Sequence, residues 1–312
     1  MNTPAMIQAA VAALVAAILL ARLATERMRH NRRERNALLR RRYLHAVMLA
    51  LHTGTHEIPR FPLLRRAGAW LLLVETLAGI VASTYGLNTT LLRRIVAVHD
   101  LENKLLRRIR LSRGFRRARY LSLLASLPID AATARRVARY ARSRNRAVKF
   151  QVLRVRMAAE PSMTLRLLEG YDTPFSGCEV AEIMALLRRG ILPIAYEPLL
   201  RAESPNLRRI GLGIVRQFSI EEAAPRLREL AADDKVPALS REALYTLCSL
   251  HSPLHGAQIR AGIDRMDTLQ RRALMRCMVH ESYSPDLLGQ LFGTAGHSYG
   301  EALARTHKCS LA

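Results

Sequence analysis

The stretch Ser204–Leu250, "SPNLRRIGLGIVRQFSIEEAAPRLRELAADDKVPALSREALYTLCSL", decides the fold. Leu207, Ile210, Ile214, Val215 and Phe218 recur at three- and four-residue steps and form one apolar stripe of a helix. Gly211, inside that stripe, leaves room for a neighbouring helix to approach. "SIEE" then offers Ser219 as an N-cap with Glu222 three residues on, which is capping-box spacing. Ala223, Leu227 and Leu230 line a second helix that runs out at "ADDKVP", and after Ser240 a third opens with "REALYTLCSL". Each helix has one apolar face, so each needs a neighbour to cover it.

The same texture extends in both directions. "LLRRRYLHAVMLAL" puts Leu39, Tyr43, Ala46, Val47 and Ala50 on one helix face, and no convincing alternating strand occurs. The breaks are short and rich in turn residues: "HTGTHEIPRFP", "STYGLNTT", "LSRGF", "LPID", "AAEPS", "GYDTPFSG", "RGILP", "AESPN", "AADDKVP" and "LHSPLHG". They also have a rhythm. Small residues fall at similar places in successive helices, at Ala118, Ala147, Ala181, Gly211, Ala243 and Ala273, with separations of 29, 34, 30, 32 and 30 residues. A period of that size is the signature of stacked helical hairpins, each too small to bury its apolar faces alone.

The pattern resembles that of HEAT repeats. In that family a "P-x-L-x-x-L" stretch in the second helix leads to an acidic turn and then to an arginine before the next first helix. Pro225, Leu227, Leu230, Asp233, Asp234 and Arg241 are similar to those positions, and Ser204, Pro205, Asn206 and Arg208 play similar parts one unit earlier, without the Asp. The resemblance is good over 177–280 and looser over 90–176; over 40–90 only the periodicity speaks. Armadillo-type and other helical-hairpin repeats fit the same rhythm. The resemblance implies an all-α protein, a right-handed α-solenoid over 61–296, that presents a long surface to another macromolecule.

A different signal opens the chain. Ala5–Ala21 contains one polar residue, Gln8, and Leu23 and Ala24 extend the run past Arg22. About 20 helical residues cross a hydrocarbon core of roughly 30 Å. A cleaved signal peptide would carry its positive charge ahead of the apolar run, whereas here Met1–Ala21 has no Lys or Arg. Arg22, Arg27, Arg29, Arg32, Arg33, Arg35, Arg40, Arg41 and Arg42 all follow it. The expectation is a transmembrane anchor over 1–24, with everything after it on the cytoplasmic side of a bacterial inner membrane. A basic juxtamembrane helix and linker over 25–60 and a C-terminal tail over 297–312 complete the layout. A second apolar stretch, Ala67–Ser83, carries Glu75 at its centre, which costs about 2.5–3.5 kcal/mol in a bilayer. A second crossing would also export the arginines from Arg93 to Arg156, so this stretch is expected to be a buried helix, with Trp70 in its core.

Charge is distributed unevenly. Of a net +24, residues 1–160 carry +23, from 31 Lys and Arg against 8 Asp and Glu. Such a region suits the anionic inner leaflet, at roughly 1 kcal/mol per nearby cation. Arg93, Arg94, Arg107, Arg108, Arg116, Arg117, Arg135, Arg136 and Arg139 are expected to form a basic strip. It could hold lipid headgroups, an acidic protein or a nucleic-acid backbone, or be a plain solvated face. Nucleic acid is disfavoured, because aromatics that would stack on bases are few, 5% of the chain. Bacterial proteins of similar layout, an anchor followed by HEAT-like repeats, sit beside membrane glycosyltransferases of exopolysaccharide systems. The resemblance therefore implies a scaffold that binds a membrane-associated protein partner, with anionic lipid headgroups as a second contact.

Chemistry-bearing motifs are sparse. The four cysteines, Cys178, Cys248, Cys277 and Cys309, form no C-x-x-C, which fits reduced thiols better than a disulfide framework. "HTGTH", His52–His56, has metal-like spacing without a completing cluster and reads as a polar loop. "CMVH", Cys277–His280, reads as a buried thiol and a surface imidazole. Deoxyhypusine hydroxylase, a HEAT-like enzyme, binds two irons through His-Glu pairs. His56-Glu57 and His280-Glu281 lie too far apart to close on one such centre. No nucleophile elbow, Walker loop or dinucleotide fingerprint is present, and "GLG" at Gly211–Gly213 reads as close helix packing. No enzyme activity, metal, cofactor or small-molecule substrate is expected.

Overall fold

In the computed structural model the described residues are 3–54, 57–64, 68–84, 89–188, 195–233 and 235–310; for 3–18, 24, 258, 295, 304 and 306–310 the backbone path alone is described. Among them every regular element is helical. The chain divides into two compact units, residues 1–155 and 156–312.

The first unit begins with α1 (Thr3–His52), one unbroken helix of 50 residues. It contains no glycine, and its only proline is Pro4 in the first turn, where a missing N–H costs nothing. Tyr43, Val47 and Ala50 are buried, and Leu39 and Ala46 are half-buried, as the periodicity predicts. α1 packs on α2 (Ala69–Ser83), which also touches α5 (Gly114–Ala125). Between these run α3 (Thr89–Val98) and α4 (Leu101–Leu111), and α6 (Ala131–Ala138) follows. α7 (Arg146–Ala159) spans the division in sequence.

α2 is the stretch expected to be a buried helix. At 15 residues it rises only about 22 Å, short of a bilayer core. Leu73, Val74, Leu77, Ala78 and Ile80 are buried, while Trp70 is half-buried at the first turn rather than in the core. The anchor expected over 1–24 follows a helical backbone from Thr3, but the side chains of 1–18 and 24 lie outside the described residues. Among the described residues no helix is long and apolar enough to cross a membrane.

The second unit is a succession of helix pairs: α8 (Thr164–Glu169), α9 (Gly177–Leu187), α10 (Tyr196–Arg201), α11 (Pro205–Phe218), α12 (Ala224–Ala232), α13 (Pro237–Ser249), α14 (Ala257–Asp264), α15 (Thr268–His280), α16 (Pro285–Phe292) and α17 (Thr294–Ser310). The odd-numbered helices pack in a row, α9 on α11, α11 on α13, α13 on α15 and α15 on α17. α12 packs both on α13 and on α14. This is the neighbour-on-neighbour contact pattern that stacked hairpins require. Residues 297–310, expected to be a tail, belong to α17, which packs on α15 and α16.

Local detail explains where the helices start and stop. Ser176 and Glu179 form a true capping box on α9, and Asp267 and Gln270 form one on α15. Ser219 does not cap the following helix. It closes α11 in a left-handed conformation, φ 50°, and the Ile220 N–H reaches back to the Val215 carbonyl at 3.1 Å. α13 begins at Pro237, four residues before the expected opening at Arg241, and Ser240 is buried within it, donating to the Ala231 carbonyl at 2.5 Å. Phe218, expected in the stripe of α11, is 49% exposed. The "GLG" segment packs as expected. A Cβ on Gly211 would lie 3.0–3.2 Å from Leu199 and Leu200 of α10, and one on Gly213 would lie 3.3 Å from Val180 and Met184 of α9.

Candidate interaction surface

Arg22, Arg27, Arg29, Arg32, Arg33 and Arg35 are all exposed, as are Leu19, Leu20 and Leu23 just ahead of them. No buried side chain interrupts α1 between Leu19 and Arg42, Ala24 lying outside the described side chains, and the first buried residue is Tyr43. The guanidiniums therefore surround the helix rather than lining one face of it. His30 pairs with Glu34 at 3.1 Å, a surface contact of little energetic weight.

Tyr43 then pins α1 to the body of the unit. Its hydroxyl donates to the Pro62 carbonyl at 2.7 Å, and its ring meets Phe61 edge-on at 5.5 Å. α1 packs on α2, and here Glu75 finds its partners. Its carboxylate accepts from Arg40 of α1 at 2.7 Å and from Arg119 of α5 at 2.6 Å. One carboxylate thus joins three helices. Beside it runs an open groove of about 690 Å³ lined by Leu44, Met48, Gly79, Ile80 and Leu123.

The nine arginines of the expected basic strip lie on α3, α4, α5 and α6 or their ends, and all but the half-buried Arg117 are exposed. The structure brings some of them together. The guanidiniums of Arg117 and Arg139 both lie over the Tyr140 ring, at 4.5 and 4.9 Å from its centre. Arg117 also donates to the Ile109 carbonyl at 3.1 Å, and Arg139 to the Tyr140 hydroxyl at 2.9 Å. Arg136 donates to Asn103 of α4 at 3.0 Å. These three are engaged within the unit, and Tyr140 is a residue that sequence reasoning missed. Arg93, Arg107, Arg108, Arg116 and Arg135 project from helix surfaces.

The second unit holds polar side chains that act structurally. Asn206, buried at the start of α11, donates to the Tyr171 and Thr173 carbonyls at 2.9 and 3.1 Å and accepts from the Phe175 N–H at 3.0 Å. It thereby fastens the preceding loop. Arg209 reaches Glu242 of α13 at 2.8 Å, and burial raises the Glu242 carboxyl against the pull of that arginine. Arg208 pairs with Asp233 at 3.8 Å. Of the residues carrying the HEAT resemblance, Leu227 and Leu230 are buried; Asp234 lies outside the described residues.

Thiols and histidines gather at one place. Cys248, fully buried on α13, and the half-buried Cys277 on α15 meet in one apolar cluster. Interaction with Cys248, helped by Ser249 and His280, pulls the Cys277 thiol down to about 7 against the effects of burial and Glu281, while the Cys248 thiol is pushed up. His280 and His251 flank Glu281 at 3.3 and 3.5 Å. Among the described residues no group of three His, Cys, Asp or Glu could hold a metal ion, and His56 of "HTGTH" lies outside them.

No family model, curated protein or solved structure matches the chain.

Proposed function

We propose that this chain is a membrane-tethered scaffold: the start of α1 anchors it, and HEAT-like helical hairpins, stacked as a right-handed α-solenoid, dock a membrane-associated protein on the cytoplasmic side. One observation carries the reading. A single helix runs from the apolar segment at Ala5–Ala21 through nine exposed arginines into the buried anchor Tyr43, so the apolar and the folded parts share one backbone. The arginines suit anionic headgroups and orient the chain by the positive-inside rule. The helix-on-helix succession of the second unit suits a binding surface better than a catalytic cavity. By the layout it resembles, the partner is the cytoplasmic part of an exopolysaccharide glycosyltransferase.

The test joins topology and partner. Reporters fused to the C-terminus should be active only in the form that works inside the cell, and the chain should stay with membranes through a carbonate wash. Pull-down from mild detergent should recover a membrane glycosyltransferase. Activity of an export-dependent reporter, or full release from membranes, overturns the reading. Strongly salt-dependent retention of duplex DNA by the released chain would put a nucleic-acid-binding solenoid in its place.

A further inference from the structure

Cys248 and Cys277 are 29 residues apart, about one hairpin period, and both lie in the last turn or so of their helices, α13 and α15. Those helices pack directly on one another, and both sulfurs belong to the same apolar cluster, Cys248 inside it and Cys277 at its edge. The two thiols are electrostatic neighbours, each acting on the other's ionisation. The cluster edge is braced around them: the Tyr283 hydroxyl donates to the Cys248 carbonyl at 3.3 Å and the Ser252 carbonyl at 2.9 Å, and the Tyr245 hydroxyl donates to the Gln270 carbonyl at 3.2 Å. A disulfide between them would join two helices already in contact, closing the sulfurs to about 2 Å.

We propose that Cys248 and Cys277 form a peroxide-responsive dithiol, in which the Cys277 thiolate attacks a hydroperoxide and Cys248 resolves the product into a disulfide that staples α13 to α15. The proposal goes beyond scaffolding and does not depend on where the chain resides. Roles follow from access. Cys277 is partly open to solvent and Cys248 is closed off, so only the first can meet an oxidant. Interaction with Cys248 favours the Cys277 thiolate, the nucleophilic form.

In the first step the Cys277 thiolate attacks one peroxide oxygen. The O–O bond breaks, an S–O bond forms, and the departing hydroxide takes up a proton to leave as water. In the second step the Cys248 sulfur attacks the sulfenic sulfur. An S–S bond forms, the S–O bond breaks, and the hydroxide leaves as water with the Cys248 proton. Two thiols are oxidised by two electrons and one hydrogen peroxide is reduced to two waters. A thiol reductant returns the pair.

The experiment uses the full chain in mild detergent, treated with hydrogen peroxide and mapped by mass spectrometry without reduction. The expected product is one intramolecular link between the Cys248 and Cys277 peptides, reversed by dithiothreitol. In Cys248→Ser the sulfenic acid has no resolving partner, so dimedone labelling at Cys277 should rise about tenfold over wild type. In Cys277→Ser, Cys248 should stay reduced. Circular dichroism of both variants checks that they fold. Failure to form the 248–277 link, or oxidation of Cys178 in preference to Cys277, overturns the proposal.

Discussion

The Glu75 carboxylate lies 2.7 Å from the Arg40 guanidinium, across the interface of α1 and α2. The carboxylate is 16% exposed and the arginine 56%, so solvent screens the pair but does not dissolve it. Arg119 completes the arrangement from α5. A charge at the centre of an apolar helix is thereby turned into a joint between three helices.

Breaking that joint has a modest expected cost. Glu75→Gln should destabilise the first unit by about 1 kcal/mol, because both arginines can turn to water once released. A double-mutant cycle of Arg40→Ala with Glu75→Gln, read by urea denaturation, should give a coupling of about 0.5–1 kcal/mol. Zero coupling would show that Arg119 alone holds the carboxylate.

Three glycines in helices should respond differently to alanine. At Gly211 the new methyl meets Leu199 and the backbone of Leu200 at 3.1–3.2 Å, and the expected cost is about 1–3 kcal/mol. At Gly213 the neighbours are the flexible end of Met184 and a Val180 methyl, so the cost should be smaller. At Gly79 on α2 nothing lies within 4 Å, and alanine should stabilise by up to about 1 kcal/mol through helix propensity. Melting temperatures of the three variants test the ranking.

Asn206→Ala should cost about 2–3 kcal/mol. It removes one hydrogen bond each from the Tyr171 and Thr173 carbonyls and from the Phe175 N–H, at a buried side chain. Faster amide exchange confined to residues 171–176 would be the local sign.

Asp130 caps α6, its carboxylate accepting from the Thr133 N–H at 2.8 Å. That backbone bond, with the Thr133 side chain, lowers its pKa from the ordinary 3.8. The folded value lies below the unfolded one, so the cap's contribution is present above about pH 4 and is lost as pH falls through the folded value. Exchange of the Thr133 amide should quicken across that acidic window in the wild type. In Asp130→Ala it should already be fast at neutral pH, with a stability loss of about 1 kcal/mol.

Helical texture was legible in the sequence because one-faced apolar spacing is local information. Tyr43, Val47, Ile210 and Val215 are buried where their periodicity puts them. The small-residue rhythm was less faithful: Ala118, Gly211 and Ala243 are buried, but Ala181 and Ala273 face solvent. The period reflects hairpin length, and alanine tolerates either side of a helix. Ser219 misled because capping-box spacing does not reveal that the serine is already closing the helix before it. The Glu75 joint, the Asn206 clasp and the Cys248–Cys277 pair bridge 29 to 44 residues, and their partners emerge only from packing. The exposed arginines of α1 were legible, since nothing apolar alternates with them to form a face.

From Arg22 to Tyr43, α1 climbs about 30 Å without a hinge. For a chain seated in a bilayer by the start of that helix, the consequence is mechanical. The first unit would ride at a fixed height on a stiff mast, and any lean of the mast would swing it as a lever swings its load. A protein that it grips would have to extend that far into the aqueous phase, so its own cytoplasmic bulk, and not a short loop at the lipid surface, would be what is held.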